Sequence, residues 1–179
     1  KKKKKRLDTK YFPAFMAVVA VLTALAIVFS SLRYKESQKE RFIEAIQESD
    51  SLLSKPLLLI NESDSVTINK YKGNDIVVVF WSSWSEKSDL LLQEIYTLQD
   101  QTDSLVVISA LVLDATDDIS NTKFLDGFVH VDGASLYNEL KVPGIPSYVL
   151  LDKKGALKYA HVGYQENAGY SLLRSKLAE

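Results

Sequence analysis

From Phe12 to Leu32 the chain reads FPAFMAVVAVLTALAIVFSSL, with no charged residue. About 20 apolar residues rising about 1.5 Å each match a hydrocarbon core of about 30 Å, so this segment predicts a transmembrane helix. Tyr11 and Phe12 sit at one end and Tyr34 at the other, where aromatic rings favour the membrane interface. Pro13 falls in the first turn, where its missing N–H costs little. A signal peptide would have a shorter apolar region, about 7–15 residues, followed by a small-x-small site. Ser30-Ser31-Leu32 is a poor cleavage site. The segment is read as an uncleaved anchor.

The next stretch, Tyr34 to Ser54, contains no Gly or Pro. Phe42, Ile43, Ile46, Leu52 and Leu53 recur at roughly helical spacing, which predicts a juxtamembrane helix ending at Lys55-Pro56. Its apolar stripe packs either on its own domain or on a partner. Beyond Pro56 strands and helices alternate. Leu57–Ile60 and Ser65–Ile68 read as short strands around a polar turn. Ile76–Trp81 (IVVVFW) is a continuous β-branched run, the pattern of a strand buried on both faces. Glu86–Gln101 predicts a helix with Leu90, Leu91, Ile95 and Leu98 on one face. Leu105–Leu113 follows as a second buried strand, and Asn121–Gly127 and Leu136–Leu140 as short helices. Ser147–Leu151 turns through Asp152-Lys153-Lys154-Gly155 into Ala156–Val162, and a last helix covers Ala168–Leu177. This order describes an α/β domain with a mixed sheet.

Charge gives the anchor a direction. Lys1–Arg6 is an unbroken basic run and Lys10 follows, whereas the basic residues after Leu32 are interleaved with Glu36, Glu40 and Glu44. Excess Lys and Arg on the N-terminal flank predicts a cytoplasmic tail over residues 1–11. The span is then 12–32, the linker 33–55, and the globular domain 56–179 lies across the membrane, in the periplasm if the cell is Gram-negative. The bilayer is thus one partner. A net charge of -1 over 179 residues gives no reason to expect nucleic acid. Apolar content of 46% suffices for a packed core.

The chain has no cysteine, and so no disulfide, no thiolate nucleophile and no thiolate metal site. Against that background two motifs stand out. Residues 66–88 read VTINKYKGNDIVVVFWSSWSEKS, and residues 131–155 read VDGASLYNELKVPGIPSYVLLDKKG. Together they resemble the membrane-anchored thioredoxin-like thiol–disulfide oxidoreductases of the TlpA/ResA type. Tyr71, Gly73, Phe80, Trp81 and Trp84 match in the first. Asp132, Leu136, Val142, Gly144, Pro146, Ser147, Asp152 and Gly155 match in the second. The resemblance covers residues 57–179 and implies a thioredoxin-like fold, with Pro146 as a cis-proline facing the active-site loop. It places Ser85 and Ser88 where that family has its two cysteines, and Val79 where thioredoxins commonly bury an acid.

The family's reaction needs a thiolate of lowered pKa at a helix N-terminus and a second thiol to resolve the mixed disulfide. Serine cannot substitute. A helix dipole is worth about 1–2 kcal/mol, of order one pKa unit, far short of making an alkoxide. A serine nucleophile also needs an adjacent base, and the two histidines, His130 and His161, sit in no triad pattern. Ser85 reads as a helix N-cap. Asp114, Asp117 and Asp118 form an acidic cluster that reads as a solvated loop rather than a metal site, and no phosphate loop is present. Neither cofactor nor metal is expected.

The remaining candidate is a surface: a degenerate groove of Trp81, Trp84, Ser85, Ile145 and Pro146, able to bind an extended peptide. The expected function is a redox-inactive binding or scaffolding module, an accessory subunit partnering a membrane protein or complex. The alternative is a disulfide-reducing enzyme, of the cytochrome c maturation kind, whose cysteines have been replaced by serine.

Overall fold

The computed structural model describes residues 11–49, 51–60, 63–114 and 125–179. The basic run Lys1–Lys10, Asp117, Asp118 and most of the helix expected at Asn121–Gly127 lie outside the described residues. The chain divides into two compact units, 1–38 and 39–179.

In the first unit, helix α1 (Phe12–Glu48) begins. An 18-residue window within it has a mean hydropathy of 2.5 and none of it is buried, so by length and composition this is a candidate membrane span. The Thr23 hydroxyl donates to the Val19 carbonyl at 2.8 Å, so the helix satisfies its own polar side chain.

The second unit starts with the end of α1 and is built on a five-stranded sheet. Its strands are β3 (Asp75–Trp81), β4 (Leu105–Leu111), β5 (Val129–Asp132), β6 (Ser147–Leu151) and β7 (Leu157–Val162), in the order β5-β4-β3-β6-β7. β3 pairs parallel with β4, and β4 with β5; β6 is antiparallel to both β3 and β7. Helix α2 (Glu86–Gln99) makes the crossover from β3 to β4, and α3 (Ala134–Glu139) follows β5. A minimal hairpin, β1 (Leu57–Leu58) with β2 (Ser65–Val66), precedes the sheet, and a 3-10 turn covers Ile68–Tyr71. Leu59 bridges Val131, so this segment lies along the outer edge of β5. β7 is the open edge, with a register shift opposite Leu150/Leu151.

The alternation of β3 explains why its sequence is apolar throughout. Ile76, Val78 and Phe80 point into one core layer, and Val77, Val79 and Trp81 into the other. Leu91, Leu92, Ile95 and Leu98 of α2 cover the second layer, while Leu90 is exposed. The buried face is therefore rotated from the expected one: Leu92 replaces Leu90.

The first layer is closed by α1 itself. Phe42 is fully buried, edge-on to Phe80 with centroids 6.5 Å apart, and Ile46 and Leu52 are buried beside it. The juxtamembrane stripe thus packs on its own domain, and residues 39–55, expected to be linker, belong to the compact unit. The segment is further tied down by Glu139 of α3, which accepts hydrogen bonds from Ser49 (3.0 Å), Ser51 (2.7 Å) and Lys55. The chain ends in a π-helical turn (Ala168–Leu172) running into α4 (Leu173–Ala178), with Leu173 buried in the second layer. Glu94 of α2 holds this segment by accepting from Gly169 N at 2.7 Å, Asn167 N at 3.1 Å and the Tyr164 hydroxyl at 3.0 Å.

Candidate functional site

β3 ends at Trp81, and the chain turns through Ser82, Ser83 and Trp84 before α2 begins. Ser82 is buried, with its hydroxyl donating to the Val112 carbonyl; Ser83 N donates to Asp114 Oδ2 at 2.5 Å. Asp114 is thus a structural acceptor for the turn. Among the described residues no group of His, Asp and Glu has the makings of a metal site.

Ser85 caps α2 in extended backbone geometry, its Oγ accepting from Ser88 N at 3.3 Å. Ser88 is fully buried one turn on, and its Oγ accepts a long 3.5 Å contact from Ser82 N. The two serines are therefore neighbours, and both serve the backbone of the turn. Glu86 and Asp89 occupy the first turn of the helix. Their negative charge suits the helix dipole but would oppose any anion formed at Ser85.

Neither histidine bonds to Ser85. His130 on β5 bonds through Nε2 to the Leu125 carbonyl at 2.9 Å, and His161 on β7 stacks on Tyr148 at 5.3 Å between ring centroids. Burial lowers the pKa of both imidazoles.

The two tryptophans part company. Trp81 is fully buried in the layer under α2, so it cannot line a groove; strand alternation sends it inward. Trp84, three residues later in the turn, is 65% exposed. Its indole N–H donates to the Leu113 carbonyl at 3.2 Å. Leu113 is 60% exposed and adopts a left-handed backbone, φ 57°, which for leucine costs about 1 kcal/mol. Two large exposed apolar residues are therefore joined by one hydrogen bond, which satisfies the polar edge of the indole. The sequence offered no hint of Leu113, because the run Leu111-Val112-Leu113 reads as continuing strand.

The Ile145–Pro146 peptide bond is cis, as the motif implied. Pro146 is buried and Ile145 is half-buried against the first core layer. Phe80 pairs with Ser147, which sets Pro146 level with Trp81, at the end of β3 from which the Ser82–Ser85 turn departs. Of the expected groove residues, Trp81 and Pro146 are buried, Ser85 and Ile145 are half-buried and Trp84 is exposed, bonded to the exposed Leu113.

No protein-family model matches the chain, and a search of curated proteins finds no match. Solved structures do match. A thiol:disulfide interchange protein, DsbE, from Chlorobium tepidum superposes with a TM-score of 0.62 at 18% identity, over 69% of this chain and 90% of that one. A secreted disulfide oxidoreductase of Mycobacterium tuberculosis, homologous to E. coli DsbE, gives 0.59 at 14% identity, over 73% of this chain and 98% of that one. A thioredoxin-like protein from Aeropyrum pernix gives 0.59 at 15% identity, covering 83% and 98%. The fold is thioredoxin-like. At these identities the likeness concerns the fold alone. In this thioredoxin-like chain the turn that leads from the central strand to its helix carries Trp84, Ser85 and Ser88, and no thiol.

Proposed function

We propose that this chain is a membrane-anchored thioredoxin-like protein without redox chemistry, acting as a binding module and accessory subunit of a membrane complex, with Trp84 and Leu113 as its contact. The observation that carries this reading is the exposed indole held by the Leu113 carbonyl in the turn before α2. An aromatic anchor whose N–H is already bonded loses only apolar hydration when a partner covers it. Exposed apolar pairs of this kind mark interaction sites, and tryptophan is enriched among residues that dominate interfaces. Val79, fully buried among apolar neighbours where thioredoxins commonly bury an acid, supports a natural loss of redox chemistry over a serine-substituted enzyme, since substitution of the thiols alone would not have changed that position. The excess of Lys and Arg before Phe12 supports a domain facing away from the cytoplasm.

The test is co-purification from detergent with the full chain. Trp84→Ala is expected to weaken partner recovery by at least tenfold, in line with a hot-spot loss of about 2 kcal/mol or more. A chain whose residues 12–32 are exchanged for an unrelated apolar span should retain the partner. Full recovery with Trp84→Ala, together with loss on exchange of the span, would place the interaction in the membrane instead.

A further inference from the structure

His161 sits on β7, the open edge of the sheet. It is 9% exposed, and its ring stacks on Tyr148 of β6 at 5.3 Å and 24° and on Tyr159 at 6.4 Å and 27°. Its Nε2 is fully buried and has no hydrogen-bond partner among the described residues. The aromatic trio is the platform for the C-terminal helical segment, 168–178. The Tyr148 hydroxyl donates to the Ala168 carbonyl at 3.0 Å. Tyr159 carries the Lys176 ammonium 5.5 Å from its ring centroid, and Lys158 Nζ donates to the Leu177 carbonyl at 2.9 Å.

Charges of both signs flank the trio. Lys39 comes from α1, 5.9 Å from the Tyr159 ring, and Lys176 comes from α4. Glu179 is engaged with Lys176 at 2.5 Å. Glu94, on α2, acts on Tyr148, and the charge that acts on His161 is that of Lys39. Burial raises the pKa of the Tyr148 phenol that faces the imidazole. A neutral ring suits this site, being flat and with little need of water. An imidazolium would be a buried charge, and the charge that acts on it, that of Lys39, has the same sign.

We propose that His161 is an acid-sensitive latch: the neutral imidazole keeps residues 168–178 docked on the β6–β7 edge, and its protonation releases them. Burial first, and Lys39 second, hold the imidazole pKa below its ordinary 6.5. The closed state therefore binds the proton less well than an open state in which the ring is hydrated. Docking is complete above pH 6.5 and weakens as pH falls through that value. Histidine is the side chain that ordinarily titrates between pH 5 and 8. With two histidines in the chain, a change in that window belongs to His161 or His130.

Amide hydrogen exchange on the full chain in detergent, at pH 7.5 and 5.5 and corrected for intrinsic rates, reads the latch directly. Exchange in 168–178 is expected to rise at pH 5.5 by up to about tenfold, since that pH lies one unit under the ordinary histidine value. His161→Phe, which keeps the stack and cannot titrate, should abolish the pH dependence, whereas His130→Gln should preserve it. An equal rise in His161→Phe, or none in the wild-type chain, would overturn the proposal. If His161→Phe does not fold, the NMR titration of the His161 ring decides in the unaltered chain. A midpoint below 6.5 that tracks the exchange change supports the latch, and a midpoint at or above 6.5 refutes it.

Discussion

Leu113 shows how one residue's conformation shapes the candidate site. Its left-handed backbone sets a leucine outward against its own preference, and Trp84 Nε1 fixes the carbonyl that results. Leu113→Gly should relieve the strain and raise stability by ~0.5–1 kcal/mol, read as a shift in chemical denaturation midpoint, while weakening partner recovery. A residue that costs stability and is needed for binding would give opposite signs in those two assays; equal signs would mean that the strain serves the fold. Much else at this scale was legible in the sequence. Ser85 as an N-cap follows from a local rule, and the cis bond before Pro146 was implied by the resemblance to the thioredoxin-like family. The burial of Trp81 was legible in principle from the IVVVFW run, and assigning it to a groove ignored the strand's own alternation. Leu113 was not legible, because a left-handed leucine leaves no compositional trace.

Elements were predicted best where the signal was continuous. β3, β4, β6 and β7 fall within two residues of their expected bounds, the first three because buried strands read as largely apolar runs and β7 because the Asp152–Gly155 turn marks where it starts. α2 was found with its buried face displaced, because Leu90, Leu91 and Leu92 are consecutive and periodicity alone cannot choose among them. β5 was too short to be bounded from sequence. The juxtamembrane stripe packs on its own domain, one of the two outcomes its spacing allowed, and Glu139 fastens the segment that follows it. Hydrogen bonds from Lys55, then from Ser51 and Ser49, hold the Glu139 carboxyl below its ordinary pKa. A lowered carboxyl contributes stability above its ordinary value near 4.5 and loses it as pH falls through the folded value. In Glu139→Gln this acid sensitivity should shrink, at a cost of ~1 kcal/mol at neutral pH. Denaturation midpoints at pH 7 and pH 3.5 measure both quantities, and an unchanged difference between the two pH values would dismiss the fastening.

For the molecule as a whole, the domain begins earlier than sequence periodicity suggested. Phe42, Ile46 and Leu52 complete the layer that also holds Phe80, Val149 and Leu151, so the end of α1 is part of the core. A fragment starting at Pro56 should therefore fail to fold cooperatively, and Phe42→Ala in the full chain should cost about 3–5 kcal/mol. Circular dichroism melts of the two proteins test this. A sharp transition in the fragment would show that the helix is only an accessory. Whether the stripe faced its own domain or a partner was not decidable from spacing, because both outcomes use the same residues at the same period.

The two edges of the sheet are finished differently, and this bears on life at a membrane. Molecules tethered to a surface meet one another far more often than the same number in bulk, so an unfinished strand becomes a template for the next copy. β5 is covered by the chain's own residues 57–60. Among the described residues no strand covers β7, but its register shift breaks the flat ladder, and Lys39, Lys158 and Lys176 gather around it. Charged side chains, lysine above all, are how open strand edges resist edge-to-edge pairing, so the lysines that frame the aromatic trio also stand where a second copy would have to pair.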